Sequence, residues 1–598
     1  MERLSRQLNK RQILQTLKHL PSHNQLDEAY DDVIKRIDAQ GEDIAALAKR
    51  ALSWIVLARR PLTASELCCA LAVELETEEL DTANLFEIRD IQSICAGLVN
   101  VEEERRIVGL VHNTAQTFLE PLVDRWNLNA RKDIAETCLT YLAFQEFRTG
   151  RSTGEKALRE RFQKNDFFMY AAEYWSEHLR PVETEIARLA CSFLLQKGSY
   201  ESAAQAMYLM QNLRYVRRIF KKLDAYSYRT MTAAQFVANE GFYGVMEVFL
   251  KQLGDRVTTT LNTEAGANRY GTPLAIAAAH EDTAMIELLI RHGSRDGEAV
   301  LQKAIRETRV VSVRHLLDLG ITANAVDSDG HSALINAVTT GSLNLVQLLL
   351  DRHADIRFCD SNLPNGTALI AAILNGHAHL IPVLLQAGAD LRAGTMYHDN
   401  SVEAAAESSD IRFLEALLDA TNSMTMDERS KLLGGSLCVA AARGNSAAII
   451  TLLEAGADPD SVRQSSSAIE SAAQGKHHEV LSLLTNAGAN TQGRTLDEIL
   501  EDSKDDVPTN GSQSDSDDDY DSEVLSLPSC TKTMEGTDSE MDDSEHEGHA
   551  ARESLRSLVN KAEGRNVDIH GTRKKEAEKK ERQRIVELHQ QARVGTWS

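Results

Sequence analysis

Residues 271–293 read GTPLAIAAAHEDTAMIELLIRHG, and the same phrase returns further along the chain with drift. It recurs as HSALINAVTTGSLNLVQLLLDRHAD (331–355), GTALIAAILNGHAHLIPVLLQAGAD (366–390), GSLCVAAARGNSAAIITLLEAGAD (435–458) and SAIESAAQGKHHEVLSLLTNAGAN (467–490). Taking the apolar residue after the small polar pair as an anchor gives Leu274, Leu334, Leu369, Leu437 and Ile469. Degenerate copies anchored at Ala234, Leu301 and Val402 fill the gaps, with steps of 40, 27, 33, 35, 33, 35 and 32 residues. Eight copies of a helix-turn-helix unit follow, the first three irregular.

Local chemistry agrees with the period. Thr272 and Pro273 suit an N-cap and a first helical turn. Gly293, Gly320, Gly388, Gly456 and Gly488 stand where a second helix ends and a left-handed residue is needed. The Ala runs let inner helices approach closely. The pairs Leu288-Leu289, Leu348-Leu349, Leu384-Leu385, Leu417-Leu418 and Leu452-Leu453 supply a stacked core. This wording resembles the ankyrin repeat. The resemblance implies a quasi-linear solenoid whose hairpin tips and inner helices form an extended concave recognition surface. The positions its framework leaves free are Ser328, Asp329 and His331 at the best-formed hairpin. On the inner helices they are His280, Thr339, Thr340, Leu374, Asn375, Glu407, Arg443 and Gln474. These are the expected protein-binding residues.

Before the repeats, residues 1–46 have apolar residues at helical spacing (Ile13, Leu14, Leu17, Leu20, then Tyr30, Val33, Ile34, Ile37) around a break at Pro21. Residues 47–120 predict a helix ending near Arg59, then SELCCALAVELETEEL as a second helix, capped by Thr63 with Glu66 at the capping-box position. A third helix follows, then strand-like runs GLVNV and RIVGLVH around the charged turn Glu102–Arg106, then another helix. Helices followed by a hairpin make a winged-helix pattern. The stretches ALSWIVLARRPLTASELCCALAVE, ICAGLVNV and LVHNTAQTFLE resemble the winged-helix region that follows the NTPase core in fungal NACHT–ankyrin proteins, and the likeness extends through a helical stalk at 121–230. In that family a winged-helix histidine contacts bound ADP, and His112 matches it by motif. The phosphate-binding loop GxxxxGK[ST] is missing from the sequence, so nucleotide hydrolysis does not carry over.

Composition narrows the function. A net charge of −24 argues against attraction to DNA, RNA or acidic membranes. The acidic second helix and the Glu102-Glu103-Glu104 wing would repel phosphates. The eight cysteines have no paired CxxC spacing and read as buried thiols. No uncharged apolar run reaches the length of a membrane span, and no secretory signal opens the chain. There is no GxSxG elbow, HExxH, dinucleotide loop or kinase set. His377, His379, His477 and His478 belong to the repeat pattern, and His546 and His549 sit in a polar tail. We expect no catalytic residues, no metal site and no cofactor.

After the repeats, residues 501–548 hold 17 Asp/Glu against Lys504 and Lys532 and few apolar residues, the mark of disorder. Ser514, Ser516, Ser539 and Ser544 each precede an acidic residue by three positions and read as phosphorylation candidates. The last fifty residues carry net +5 and predict a charged helix. Within it Arg573, Lys574, Lys575, Lys579, Lys580, Arg582 and Arg584 resemble a nuclear-import cluster.

The expected architecture is mostly α. It comprises N-terminal helices (1–46), a winged-helix-like domain (47–120), a helical stalk (121–230), an ankyrin-repeat solenoid (231–495), a disordered acidic tail (496–548) and a basic charged helix (549–598). The expected function is a non-enzymatic protein–protein interaction adaptor with a regulatory role, soluble in the nucleus or cytoplasm. A nuclear transcription coregulator binding a transcription factor is its most concrete form. The alternative is an accessory or remnant of a NACHT-type signalling NTPase (self/non-self or stress signalling), or a gene read short of its upstream NTPase exons. Neither direct nucleic-acid binding nor a membrane partner is expected.

Overall fold

The structure, a computed structural model, describes residues 23–498 apart from 103, 105, 127–128, 212–230, 263–270, 361, 492, 494 and 496–497. The expectations for the first apolar helix, the acidic tail with its serines, and the basic cluster lie outside the described residues. These residues divide into two compact units between Ala233 and Ala234.

In the first unit, α1 (His23–Asp38) buries Ile34 and Ile37 against α2 (Glu42–Leu57), whose inward face is Ala45, Ala48, Ala51 and Leu52. Thr63 caps α3 (Ala64–Ala72), and Glu66 completes the capping box while also taking Arg60 at 2.6 Å. This helix is shorter than expected. It ends at Ala72 rather than running to Leu80, because burial stops at Val73 and the acidic residues that follow have no apolar face to dock. After α4 (Ile88–Ile94), β1 (Val99–Glu102) and β2 (Ile107–Leu110) pair antiparallel with Val101 opposite Val108, forming the wing. Then come α5 (Asn113–Trp126), α6 (Ala130–Leu142), α7 (Glu155–Lys164), α8 (Phe168–Leu179), α9 (Glu183–Leu195) and α10 (Lys197–Gln211).

The core of this unit is aromatic. Trp54 is 1% exposed and meets Phe167 and Tyr170 edge-on, at 5.6 and 6.1 Å between ring centroids. Tyr170 also holds His178 Nε2 at 2.8 Å. Burial, with the Arg59 charge adding to it, pushes the His178 imidazole down to about 3.

The second unit is an array of helix pairs. They are α11 (Ala233–Glu240) with α12 (Tyr243–Leu253), followed by the single α13 (Val257–Asn262), then α14 (Pro273–Ala279) with α15 (Thr283–Arg291). Next are α16 (Gly297–Arg306) with α17 (Val310–Asp318), α18 (Ala333–Thr339) with α19 (Leu343–Asp351), and α20 (Ala368–Leu374) with α21 (Ile381–Gln386). The last three pairs are α22 (Ser401–Glu407) with α23 (Ile411–Thr421), α24 (Met426–Arg443) with α25 (Ser446–Glu454), and α26 (Ala468–Gln474) with α27 (His478–Asn486). Each of the eight anchors lies in the first helix of its pair, and none is more than 6% exposed. First helices stack on first helices from α14 to α26, and most second helices on second, so two layers run along the array.

Gly293, Gly320, Gly388, Gly456 and Gly488 all have φ between 89° and 99°, the left-handed stop the sequence requires. Where the fourth copy lacks that glycine, His353 takes φ 61° instead. The histidines of the turns tie copies together: His377 Nε2 meets Thr339 O at 3.1 Å and His477 Nε2 meets Ala442 O at 3.1 Å. Asn445 fills the same role in the seventh copy, donating to Ala406 O and Ser408 O.

That copy departs from the pattern. Its first helix, α24, runs 18 residues from a capping box at Thr425 and Glu428, so helix stands where the other well-formed copies place a hairpin. Gly434 and Gly435 let it lie close against its neighbours. A Cβ at 435 would come within 2.8 Å of Glu403 Oε1, and one at 434 would run into Ser461 Oγ.

Candidate partner-binding face

The C-terminal ends of the first helices and the hairpins between copies form one row along the second unit. The best-formed hairpin is held by Asp327, a residue that sequence reasoning passed over. Its Oδ1 accepts the backbone N–H of Asp329 at 3.0 Å and of His331 at 2.9 Å, while Val326 and Ser332 bridge antiparallel. Beneath it Asn336 Nδ2 donates to Asp327 Oδ2 at 2.7 Å and to Gln302 Oε1 at 2.8 Å. Burial would raise the Asp327 carboxyl, but these donors and the neighbouring His331 hold it below the usual carboxylate range. The hairpin is thus pinned from below and presents Ser328 and Asp329 to solvent, with His331 half-buried.

The inner-helix positions fall into two groups. Thr339 and Thr340 turn their hydroxyls back onto helix carbonyls at Ile335 and Ala337, and the Asn375 amide does the same at Ala371. His280 Nε2 lies 3.2 Å from Asn239 Oδ1 of the preceding copy. Leu374, 44% exposed, and Gln474 point outward at helix ends.

Glu407 and Arg443, expected as free positions, are paired with each other at 2.5 Å. The reason is geometric: both close the first helix of adjacent copies, α22 and α24. Glu407 Oε2 also accepts from His398 Nε2 at 2.9 Å. That bond, against partial burial and with Arg443 helping, holds the Glu407 carboxyl low.

Residues outside the repeat framework complete this end of the row. Arg463, on the hairpin β3 (Val462–Arg463) and β4 (Ser466–Ser467), reaches Asp399 at 2.8 Å and Glu403 at 3.1 Å. It therefore spans from the eighth copy to the sixth, across the place where the seventh has helix in place of a hairpin. Tyr397 and Met396, 62% and 54% exposed, stand at the neighbouring hairpin.

In the first unit, the exposed His112 lies outside this row. Its Nδ1 accepts from the Thr114 backbone N–H at 3.1 Å and meets the Thr114 hydroxyl at 2.8 Å, which caps the start of α5. Among the described residues no group of three His, Cys, Asp or Glu is placed to hold a metal, and no helix is long and apolar enough to cross a membrane.

Comparisons with known proteins agree with this geometry. Residues 37–130 match the winged helix domain of the GPI inositol-deacylase family. Residues 274–361, 312–395 and 334–427 match ankyrin repeats. The chain is 26% identical to human SH3 and multiple ankyrin repeat domains protein 2 over 162 residues, 25% of this chain and 9% of that protein. It is 34% identical to mouse ankyrin repeat and SOCS box protein 6 over 122 residues, 17% of this chain and 29% of that protein. The chain thus spans less than a third of the length of either curated relative. Among solved structures it is similar to the human ASB11 ankyrin repeat domain, at 25% identity and TM-score 0.29, covering 34% of this chain and 95% of that one. It is also similar to the ankyrin repeat domain of Bcl-3, at 22% identity and TM-score 0.30, covering 43% and 99%. The two family matches and the helix pairs make the fold mostly helical, a winged helix followed by ankyrin repeats, and such repeats are protein-interaction modules.

Proposed function

We propose that this protein is a regulatory adaptor that captures a protein partner on the row of hairpins and first-helix ends between His280 and Gln474. The observation that carries the reading is the stacking of framework residues into two layers, which leaves Leu374, Tyr397, Gln474 and the Asp327-pinned hairpin exposed on a rigid frame. Such a frame binds with little ordering loss. A nuclear coregulator that brings a transcription factor to other machinery is the finer form of this reading, supported by the basic cluster at Arg573–Arg584. Replacing Thr339, Leu374 and Arg443 together should lower partner capture at least about tenfold and leave the melting temperature nearly unchanged, since few interface residues carry most of the energy. Quantitative pull-downs with the parent and triple variant measure this, and equal capture by both would sink the reading.

A second reading rests on the winged helix and its exposed His112: residues 1–230 serve as an accessory to a separate signalling NTPase and sense nucleotide there. ADP titration of the full chain separates the two, because tight binding lost in His112→Ala supports only the second.

A further inference from the structure

Away from the repeats, the first unit holds a cavity of about 990 Å³ between α3, the end of α6 and the loop 73–87. Ligand sites occupy about 300–1,000 Å³, so this one is at the large end. The loop leaves α3 where burial stops and is tied across to the turn Gln145–Thr149. The Gln145 N–H donates to Glu78 O at 2.9 Å, and the Glu78 carboxylate takes Arg148 at 3.1 Å. The loop and the start of α4 give the cavity an apolar wall: Leu80, Phe86 and Ile88 are half-buried, and Leu85 is 43% exposed. Five carboxylates also line it, against Arg89, Arg106 and Lys164. Glu146 holds Lys164 at 2.7 Å, and Arg148 reaches Glu78 from outside the lining. Glu79, Glu87 and Asp166 then stand against Arg89 and Arg106. The surroundings tip the balance further, since residues 74–90 carry seven Asp/Glu, all exposed, against Arg89 alone.

An apolar wall beside an acidic rim suits a helix with an apolar stripe and basic flanks. We propose that the occupant is this chain's own C-terminal segment, residues 582–594 (RQRIVELHQQARV), docked in the cavity as a helix. Ile585, Leu588 and Ala592 fall at i, i+3 and i+7, one face of the helix the sequence predicts. Arg582, Arg584 and Arg593 flank that face, with Glu587 the one acid in the segment. The 83 residues 499–581 can span up to about 270 Å when extended, so reach does not limit the docking. The stretch 501–548 is more acidic than the loop but has few apolar residues, so it offers the arginines charge without a place for Ile585 and Leu588. Docking covers Arg582 and Arg584 and withdraws part of the basic cluster from outside partners. This contact lies in the first unit and is independent of the partner-binding row.

The test uses the full chain with photoreactive benzoylphenylalanine in place of Leu85, an exposed residue of the cavity wall. After irradiation, peptide mapping of the monomer should place most cross-links in residues 582–594. The charge reversal E79K/E87K should lower their yield at least about tenfold, because like charges then face Arg582 and Arg584. R582E/R584E should lower it as much, and the two pairs combined should restore it, a recovery that misfolding cannot produce. Cross-links that form to 501–548, to a second copy or nowhere overturn the proposal. So does a yield that the reversals leave unchanged, or that their combination fails to restore. Partner capture by the repeats is read separately in the pull-downs and is untouched by these outcomes.

Discussion

The two units hold together by different means. Up to Ala233 the chain is close to neutral, and its core is a web of Trp54, Tyr141, Phe147, Phe167, Phe168, Tyr170 and Trp175 drawn from distant parts of the sequence. From Ala234 the chain is acidic, and its core is Ala and Leu repeated at short sequence intervals. In the first unit these rings join several helices, so stability is shared. In the array each copy rests on its neighbours, and stability is approximately a sum of local terms. The same polypeptide therefore carries a cooperative block and a string of separable parts.

Removing one ring tests this hardest. Trp54→Ala should destabilise the first unit by about 3–5 kcal/mol, and hydrogen exchange should rise together across α2, α6 and α8. Loss confined to α2 would break the comparison. In the array, Leu437→Ala in the fully buried seventh anchor should be worth about 3 kcal/mol, with faster exchange in α22 to α27 and unchanged protection in α14 to α18. Protection lost along the whole array would show that its copies are not separable.

A smaller effect sharpens the contrast through pH. His178 is neutral in the fold at values where the unfolded chain, with its imidazole near 6.5, takes up a proton. Its contribution is therefore constant above about pH 6.5 and turns unfavourable as pH falls from there toward 3. At pH 5 the first unit should be less stable by about 2 kcal/mol, and His178→Phe should flatten the curve in that window. Chemical denaturation at pH 7 and pH 5 reads it, and parallel curves for parent and variant would contradict the assignment. Asp166, raised by burial, works in the opposite sense, so the difference between parent and variant is the informative quantity.

The array was legible because its period repeats local rules: anchor, cap, Leu pair, glycine stop. Even the degenerate copies at Ala234, Leu301 and Val402 obeyed them closely enough to form helix pairs. The extension of α24 was not read, although Thr425 and Glu428 announce its start in the same Thr-x-x-Glu language as Thr63 and Glu66. His398, Asp399 and Arg463 were missed for a different reason. They lie in hairpins, where the framework sets few residue types, and Arg463 meets Glu403 across 60 positions of sequence. The Tyr170–His178 pair was hidden as well, since two residues eight apart on one helix carry no charge pattern that points to a buried bond. The overlong reading of α3 came from good helix formers in an acidic stretch that has nothing to pack against.

The eighteen-residue α24 also bears on how the array can change over generations. Elsewhere, duplicating or excising about 33 residues in register returns matching faces to each other, so copies can be gained or lost by recombination. Across the sixth to eighth copies this fails, because any such event separates Arg463 from Asp399 and Glu403 or leaves Gly434 and Gly435 facing the wrong neighbour. That segment should be inherited whole, and lineages that lengthen or shorten this protein should do so on its N-terminal side.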